Sequence, residues 1–311
     1  MSPLLLAIVL PVLFWHEGIN TAPDLRKAGI TQIAVPTANI APWQNMAGLR
    51  VEPADLAASS KLPSPGVALR LDEASASHIP WVTSNGWRFL REPKARFYYD
   101  VAAPTVSLAA AEAFSFGGQA LIHTGMEGLK PLADMLRFLH AIDSDRTTPI
   151  ADIAIIDNRS AASAEVLNLM VRDNLLFNIV RSPGPGYKLT VQLGSKAYSP
   201  SALKDADAIV HKIRADLGDA RRTVRLFGAS VVVAHMTGSP DNPRLHFLNY
   251  GVAAHVEVGA FRVRVLGRYS KSQIHAFDQP AQRLMDFEVD AEATEFTVPD
   301  LKTYAVVDLA P

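Results

Sequence analysis

The spacing of apolar and polar positions changes character twice along this chain. Up to about residue 143, short apolar runs alternate with helical stretches, the pattern of a parallel α/β core. Strands are expected at 13–17, 32–35, 67–71, 96–101 and 119–123, and helices at 23–28, 105–116 and 128–140. In the last of these helices Leu129, Leu132, Met135, Leu136 and Leu139 line one face. This is the grammar of a (β/α) barrel, but a complete eight-stranded barrel takes ~250 residues. The segment 15–147 is therefore expected to be a reduced (β/α) barrel: short, open or degenerate.

Residues 143–149 are polar, break the helical pattern and read as a linker. A second α/β unit is expected over 150–238, with strands at 152–156, 175–180 and 188–193 and helices at 164–172 and 203–217. Strands at 224–227 and 231–234 are expected to complete its small doubly wound sheet. Beyond Arg244 the period becomes two. Segments 245–250, 262–266, 295–298 and 304–309 lie between Gly, Pro, Asp and Asn turns, which predicts an antiparallel β-sandwich over 240–311 with little helix. The first residues support two readings. Leu4 to Leu13 is an apolar run of signal-peptide length, too short to span a bilayer. It lacks a basic start and a small-residue cleavage site, so 1–14 is either a signal segment, implying a secreted or periplasmic protein, or the entry to the first strand.

With 311 residues, 49% of them hydrophobic and 20% charged, the chain can bury several cores. Its formal net charge is −1 with the two signs intermixed, which argues against nucleic acid or an anionic membrane as a partner. The absence of cysteine excludes disulfides, thiolate metal sites and a cysteine nucleophile. There is no Gly-x-Gly-x-x-Gly after a strand, no P-loop lysine motif and no Gly-x-Ser-x-Gly, so no cofactor is called for.

The chemistry-bearing residues crowd into 15–20 and 81–100, where aromatic, carboxyl, amide and arginine side chains are mixed as in a sugar site. Glycoside hydrolysis needs two carboxyl groups, about 5–5.5 Å apart for retention and about 6.5–9.5 Å for inversion. In a barrel such groups sit at the C-terminal ends of strands, which selects Glu17, Asp72, Glu73 and Asp100. Asp72 or Glu73 could be the acid and Glu17 or Asp100 the nucleophile or base; each alone could equally be a solvated or helix-capping carboxyl, Asp72 most of all. Trp15, Trp81, Trp87, Tyr98 and Tyr99 could stack on pyranose faces, although strand alternation must send some of them into the core. His16, Asn20, Asn85, Arg88 and Arg91 could bind hydroxyls or an acidic sugar, the arginines alternatively pairing with Glu92 and Asp100. His16 has no second histidine at ligand spacing, so no metal site is expected. Glu17, Asp72, Glu73, Trp87 and Asp100 are expected to converge on one concave surface.

Three blocks in this order resemble bacterial glycoside hydrolases built from a barrel, an amidotransferase-like (trimerisation) domain and a small β-sandwich, the beta-galactosidases of that type and related hypothetical glycosyl hydrolases. The likeness is carried by Leu245-His246-Phe247-Leu248-Asn249-Tyr250, by Glu295-Phe296-Thr297-Val298-Pro299 and by Tyr304-Ala305-Val306-Val307-Asp308-Leu309. The helix Ala109-Ala110-Ala111-Glu112-Ala113-Phe114-Ser115-Phe116-Gly117-Gly118 with Ala120-Leu121-Ile122-His123 is similar to the last helix and strand of such barrels. The resemblance implies a carbohydrate partner, two-carboxyl catalysis and a homo-oligomer. Two departures stand against full transfer: the barrel is short, and no strand-ending Asn-Glu pair occurs. Amidotransferases of this class also place a cysteine between a strand and a helix, and this chain has none. The amidotransferase-like domain is therefore expected to serve packing or oligomerisation. A non-catalytic carbohydrate-binding or assembly protein is the alternative to a hydrolase.

Overall fold

The computed structural model describes residues 10–68, 81–142, 145–256 and 258–311. The first part runs β1 (Val12–Phe14), α1 (Ala22–Ala28), β2 (Gln32–Pro36), β3 (Arg50–Ala54), β4 (Ser60–Lys61), β5 (Gly66–Ala68), β6 (Trp81–Thr83), α2 (Gly86–Arg91), β7 (Arg96–Asp100), α3 (Ala103–Ser115), β8 (Gln119–His123) and α4 (Leu129–Ala141). Six of these strands form one parallel sheet in the order β3-β2-β1-β8-β7-β4. The first strand lies between β2 and β8, as the first and last strands of a barrel meet. Among the described residues the sheet is open, with β3 and β4 at its two edges. Of the strand expected at 67–71, the described residues end at Ala68; they belong to β5, which pairs antiparallel with β6 and not with this sheet.

The two faces of this sheet differ because side chains alternate along each strand. Leu13, Trp15, Ile33, Val35, Phe97, Tyr99, Ala120 and Ile122 join the main core with residues of α1, α2, α3 and α4. The opposite face carries a small cluster, Phe14, Ala34, Ala54 and Leu121, with Val12, Leu56 and Tyr98 against it. Helix α3 starts with proline in its first turn and ends where Gly117 turns left-handed at φ 66°. Gly118 follows because a Cβ there would stand 2.2 Å from the Phe89 ring.

A three-stranded parallel sheet comes next: β9 (Ile153–Ile156), α5 (Ala161–Arg172), β10 (Phe177–Ile179), β11 (Leu189–Gln192) and α6 (Ala206–Leu217), in the order β10-β9-β11. The last part holds eight strands: β12 (Val224–Phe227), β13 (Val232–Ser239), β14 (Asn242–Asn249), β15 (Phe261–Leu266), β16 (Lys271–Ala276), β17 (Met285–Val289), β18 (Ala293–Val298) and β19 (Tyr304–Ala310). They make two antiparallel sheets, β12-β15-β18-β17 and β13-β14-β19-β16. From Arg244 on, the only helix among the described residues is the 3-10 turn Val252–Ala254.

One strand assignment is corrected here. The strands near 224–227 and 231–234 do not extend the doubly wound sheet; β12 pairs with β15 and β13 with β14, both antiparallel. The misleading signal is the run Val232 to Thr237, buried on both faces, which mimics a central parallel strand. It is buried twice over because helices cover the outer side of its sheet, α5 against β13 and α3 against β14; the Phe116 ring just past α3 lies 4.4 Å from His235, and Phe114 lies 6.2 Å from His246. No described helix is long and apolar enough to cross a membrane.

Candidate functional site at the sheet edge

Parallel strands deliver their C-terminal ends to one edge. There β1 is followed by His16 and Glu17, β7 ends at Asp100, β8 ends at His123, and β4 ends at Lys61. The His123 Nδ1 lies 2.9 Å from Asp100 Oδ1, and Lys61 Nζ lies 3.4 Å from Oδ2. The imidazoles of His16 and His123 lie 4.6 Å apart, tilted at 40°, and His16 Nε2 is 3.8 Å from Glu17 Oε1. Phe14 floors the cluster, 6.2 Å from the His16 ring and edge-on to Tyr98 at 5.8 Å. Asp100, His16 and Glu17 are about half exposed, so the group is open to a ligand.

The hydrogen bond from His123, helped by Lys61, holds the Asp100 carboxyl below the usual carboxylate range although burial pushes it the other way. Asp100 is thus ionised at neutral pH, fitted to accept hydrogen bonds or to act as a base or nucleophile rather than as an acid. Both of its oxygens are already engaged.

The expected site residues divide by strand alternation. Glu17, His16 and Asp100 meet through the histidine pair, and Asn20 is exposed in the 3-10 turn just beyond Glu17. Trp15 and Tyr99, one residue away from His16 and Asp100, point to the other face and are core: Trp15 is 1% exposed and donates to Thr21 Oγ1, and Tyr99 is fully buried. Trp87, 6% exposed on α2, also lies in the core, which corrects the expectation that it joins the carboxyls. Asn85 is buried; its side chain donates to the Pro63 carbonyl and receives Arg88 Nε at 3.2 Å. Trp81 is half-buried beneath the Arg172 guanidinium, 3.7 Å from its ring centre. Arg91 grips Asp157 at 2.7 and 3.1 Å. Asp72 and Glu73 lie outside the described residues.

Two groups escaped the sequence reading. His123 ends an apolar strand as Asp100 does, so the rule that found the carboxylate could have found its partner. Glu112 had no signal of its own inside an alanine-rich helix. It is fully buried, and its carboxyl accepts from Ser84 Oγ (2.8 Å), Asn85 N (2.6 Å), Asn85 Nδ2 (3.3 Å), Tyr99 OH (2.6 Å) and Tyr250 OH (2.5 Å). Burial, reinforced by Glu112, pushes both tyrosine hydroxyls well above their ordinary pKa. The cluster has no opening to solvent and joins the first sheet's helix layer to the antiparallel sheets through Tyr250.

No protein-family model matches the chain, and no curated protein matches it in sequence. In structure it overlays on alpha-L-fucosidase isoenzyme 2 from Paenibacillus thiaminolyticus with a TM-score of 0.56 at 10% identity, covering 85% of this chain and 68% of that one. The chain has a glycoside-hydrolase-like fold. The overlay on a catalytic mutant of a GH42 beta-galactosidase from G. stearothermophilus is looser, with a TM-score of 0.39 at 7% identity over 88% of this chain and 66% of that one.

Proposed function

We propose that this chain is a glycoside-hydrolase-like protein that takes an oligosaccharide at the C-terminal edge of β1, β7 and β8. The observation that carries the reading is the meeting of Glu17, His16, His123 and Asp100 at one open edge of a parallel sheet. Phe14 and Tyr98 supply an apolar floor for a sugar face, while the carboxyls and imidazoles pair with hydroxyls. In the hydrolytic form of the proposal Asp100 is the base or nucleophile, and the acid is Glu17, Asp72 or Glu73. The wider architecture belongs to the same proposal: a reduced barrel, an amidotransferase-like unit that packs or oligomerises without chemistry, and a β-sandwich.

One observation favours a second reading, a binding protein without chemistry: Asp100 is held by His123 and Lys61, so its lone pairs are partly committed. A panel of chromogenic glycosides and of plant and microbial polysaccharides separates the two. Turnover that is lost in Asp100→Asn and Glu17→Gln supports the hydrolase. Polysaccharide retention in affinity electrophoresis, lost in Asp100→Asn and His123→Ala without any turnover, supports the binder. Absence of both activities with every member of the panel sinks the carbohydrate proposal.

A further inference from the structure

A second concave site lies between the C-terminal ends of α5 and α6 and the edge strand β12, a cavity of about 650 Å³ lined by Arg172, Asp173, Arg214, Arg222, Arg225 and Phe227. Its charges are only partly balanced. Arg214 and Arg222 share the single carboxylate of Asp219, Arg214 bidentately at 2.9 and 2.8 Å and Arg222 at 3.4 Å. The other end of Arg222 is spent on the backbone carbonyls of Asp173 and Asn174, closing the end of α5. Arg172 lies over the Trp81 ring.

Arg225 and Asp173 are left over. Arg225 has no hydrogen bond or ion pair to any described residue; its guanidinium sits 4.9 Å from the ring centre of Phe227, a phenylalanine that is 42% exposed. Its cross-strand partner is another cation, Arg264, which already leans on Glu295 at 3.7 Å. Like charges directly opposite in a ladder destabilise it. Asp173 is partly buried, and no cation lies within salt-bridge distance of it among the described residues. Burial raises its pKa despite Arg214, His211, Arg172 and Arg222 nearby. A fold that only needed packing would not keep an unpaired guanidinium opposite a like charge, beside an exposed ring and an unpaired carboxyl.

We propose that this cavity binds a small hydroxylated oxyanion, a sugar acid or a sugar phosphate, with the anionic group on Arg225, hydroxyls donating to Asp173, and the ring against Phe227. The guanidinium fork fits a carboxylate or a phosphate equally well, and Asp173 rejects a bare anion by repulsion while accepting hydroxyls. The site is separate from the sheet edge and does not depend on the function proposed there.

Titration calorimetry of the whole protein with glucuronate, glucose 6-phosphate, glucose and inorganic phosphate tests it. Glucuronate or glucose 6-phosphate should bind, the tighter of the two identifying the anionic group, while glucose and inorganic phosphate bind far more weakly. Arg225→Ala should weaken the binding about tenfold or more. The same variant should melt no lower than the parent, because it removes a like-charge pair, so lost binding cannot be laid to misfolding. Asp173→Asn should narrow the gap between the sugar anion and inorganic phosphate. The proposal is overturned if neither sugar anion binds at about 10 mM, if Arg225→Ala binds as the parent does, or if inorganic phosphate binds as tightly as the sugar anions.

Discussion

Replacing Glu112 by alanine should be among the most damaging single changes available in this chain. The side chain is fully buried on α3 and accepts hydrogen bonds from Ser84, Asn85, Tyr99 and Tyr250. Each buried donor left without an acceptor costs about 1–3 kcal/mol, but the losses do not simply add. Ser84 and Tyr250 are 2.8 Å apart and can satisfy one another. The Asn85 backbone N–H has no such freedom, and Tyr99 would be stranded against the core. Truncating a buried, fully bonded carboxyl gives about 3–5 kcal/mol in all, with the cavity left behind included. Tyr250→Phe removes a hydroxyl shared between Glu112 and Ser84, both of which keep other partners, so about 1–1.5 kcal/mol is expected there. Glu112→Gln should fall between, since it keeps an acceptor for Asn85 but turns an NH₂ group toward other donors. Urea unfolding followed by circular dichroism, compared at matched m-values, ranks the three. A midpoint for Glu112→Ala no lower than that for Tyr250→Phe would refute the claim that this carboxyl organises the contact between α3 and the antiparallel sheets.

Three further outcomes follow from the same structure. His235 is buried with its Nε2 unpartnered, and burial lowers its pKa to about 4, so the unfolded chain takes up a proton near pH 6.5 that the folded one refuses until about pH 4. Stability should therefore decline as pH falls between those values, and His235→Phe should raise the melting temperature more at pH 5 than at pH 7; a pH-independent difference counts against the reasoning. Burial alone would raise the Asp157 pKa, but hydrogen bonds from Arg91, Ser163 and the Arg159 backbone bring it below the usual range. Its contribution is present above the unfolded pKa and lost as pH falls through the lower folded one, so Arg91→Ala should cost about 3 kcal/mol near neutrality and shift acid unfolding to higher pH. Gly118→Ala would drive a Cβ to 2.2 Å from the Phe89 ring, and a loss of about 1–3 kcal/mol should appear as a lowered thermal midpoint.

What the sequence disclosed was periodicity, and periodicity is local. The stripe of α4 and the change to period two beyond Arg244 could be read directly because each is written within a dozen residues. Strand partners could not. Nothing near Val232 says that it will meet Asn249 in an antiparallel ladder under a helix from the first part of the chain. Strand β3 was missed because Pro53 reads as a turn, yet proline is tolerated in an edge strand, and β3 is one. The site was half legible for the same reason. The strand-end rule located Glu17 and Asp100, but a one-residue step sends a side chain to the opposite face, and so Trp15 and Tyr99 were carried along with their neighbours.

The open sheet accounts for where the polar groups lie. A parallel sheet is usually covered on both faces, and here the helices α1 to α4 join the core on one face only. The apolar cluster on the other face, Phe14, Ala34, Ala54 and Leu121, includes no residue of these helices. In a closed barrel that face would be interior. Left open, it tolerates polar side chains: Gln32 reaches Glu52 at 3.4 Å near its start, and Lys61, Asp100, His123 and His16 crowd its C-terminal rim. Solvation alone would explain scattered charges on such a face. It does not explain why two imidazoles, tilted at 40° with ring centres 4.6 Å apart, gather between two carboxyls at one rim. If the arrangement serves only solubility, Asp100→Asn and His123→Ala should leave every carbohydrate interaction of the protein untouched; a selective loss at that edge is what a ligand site requires.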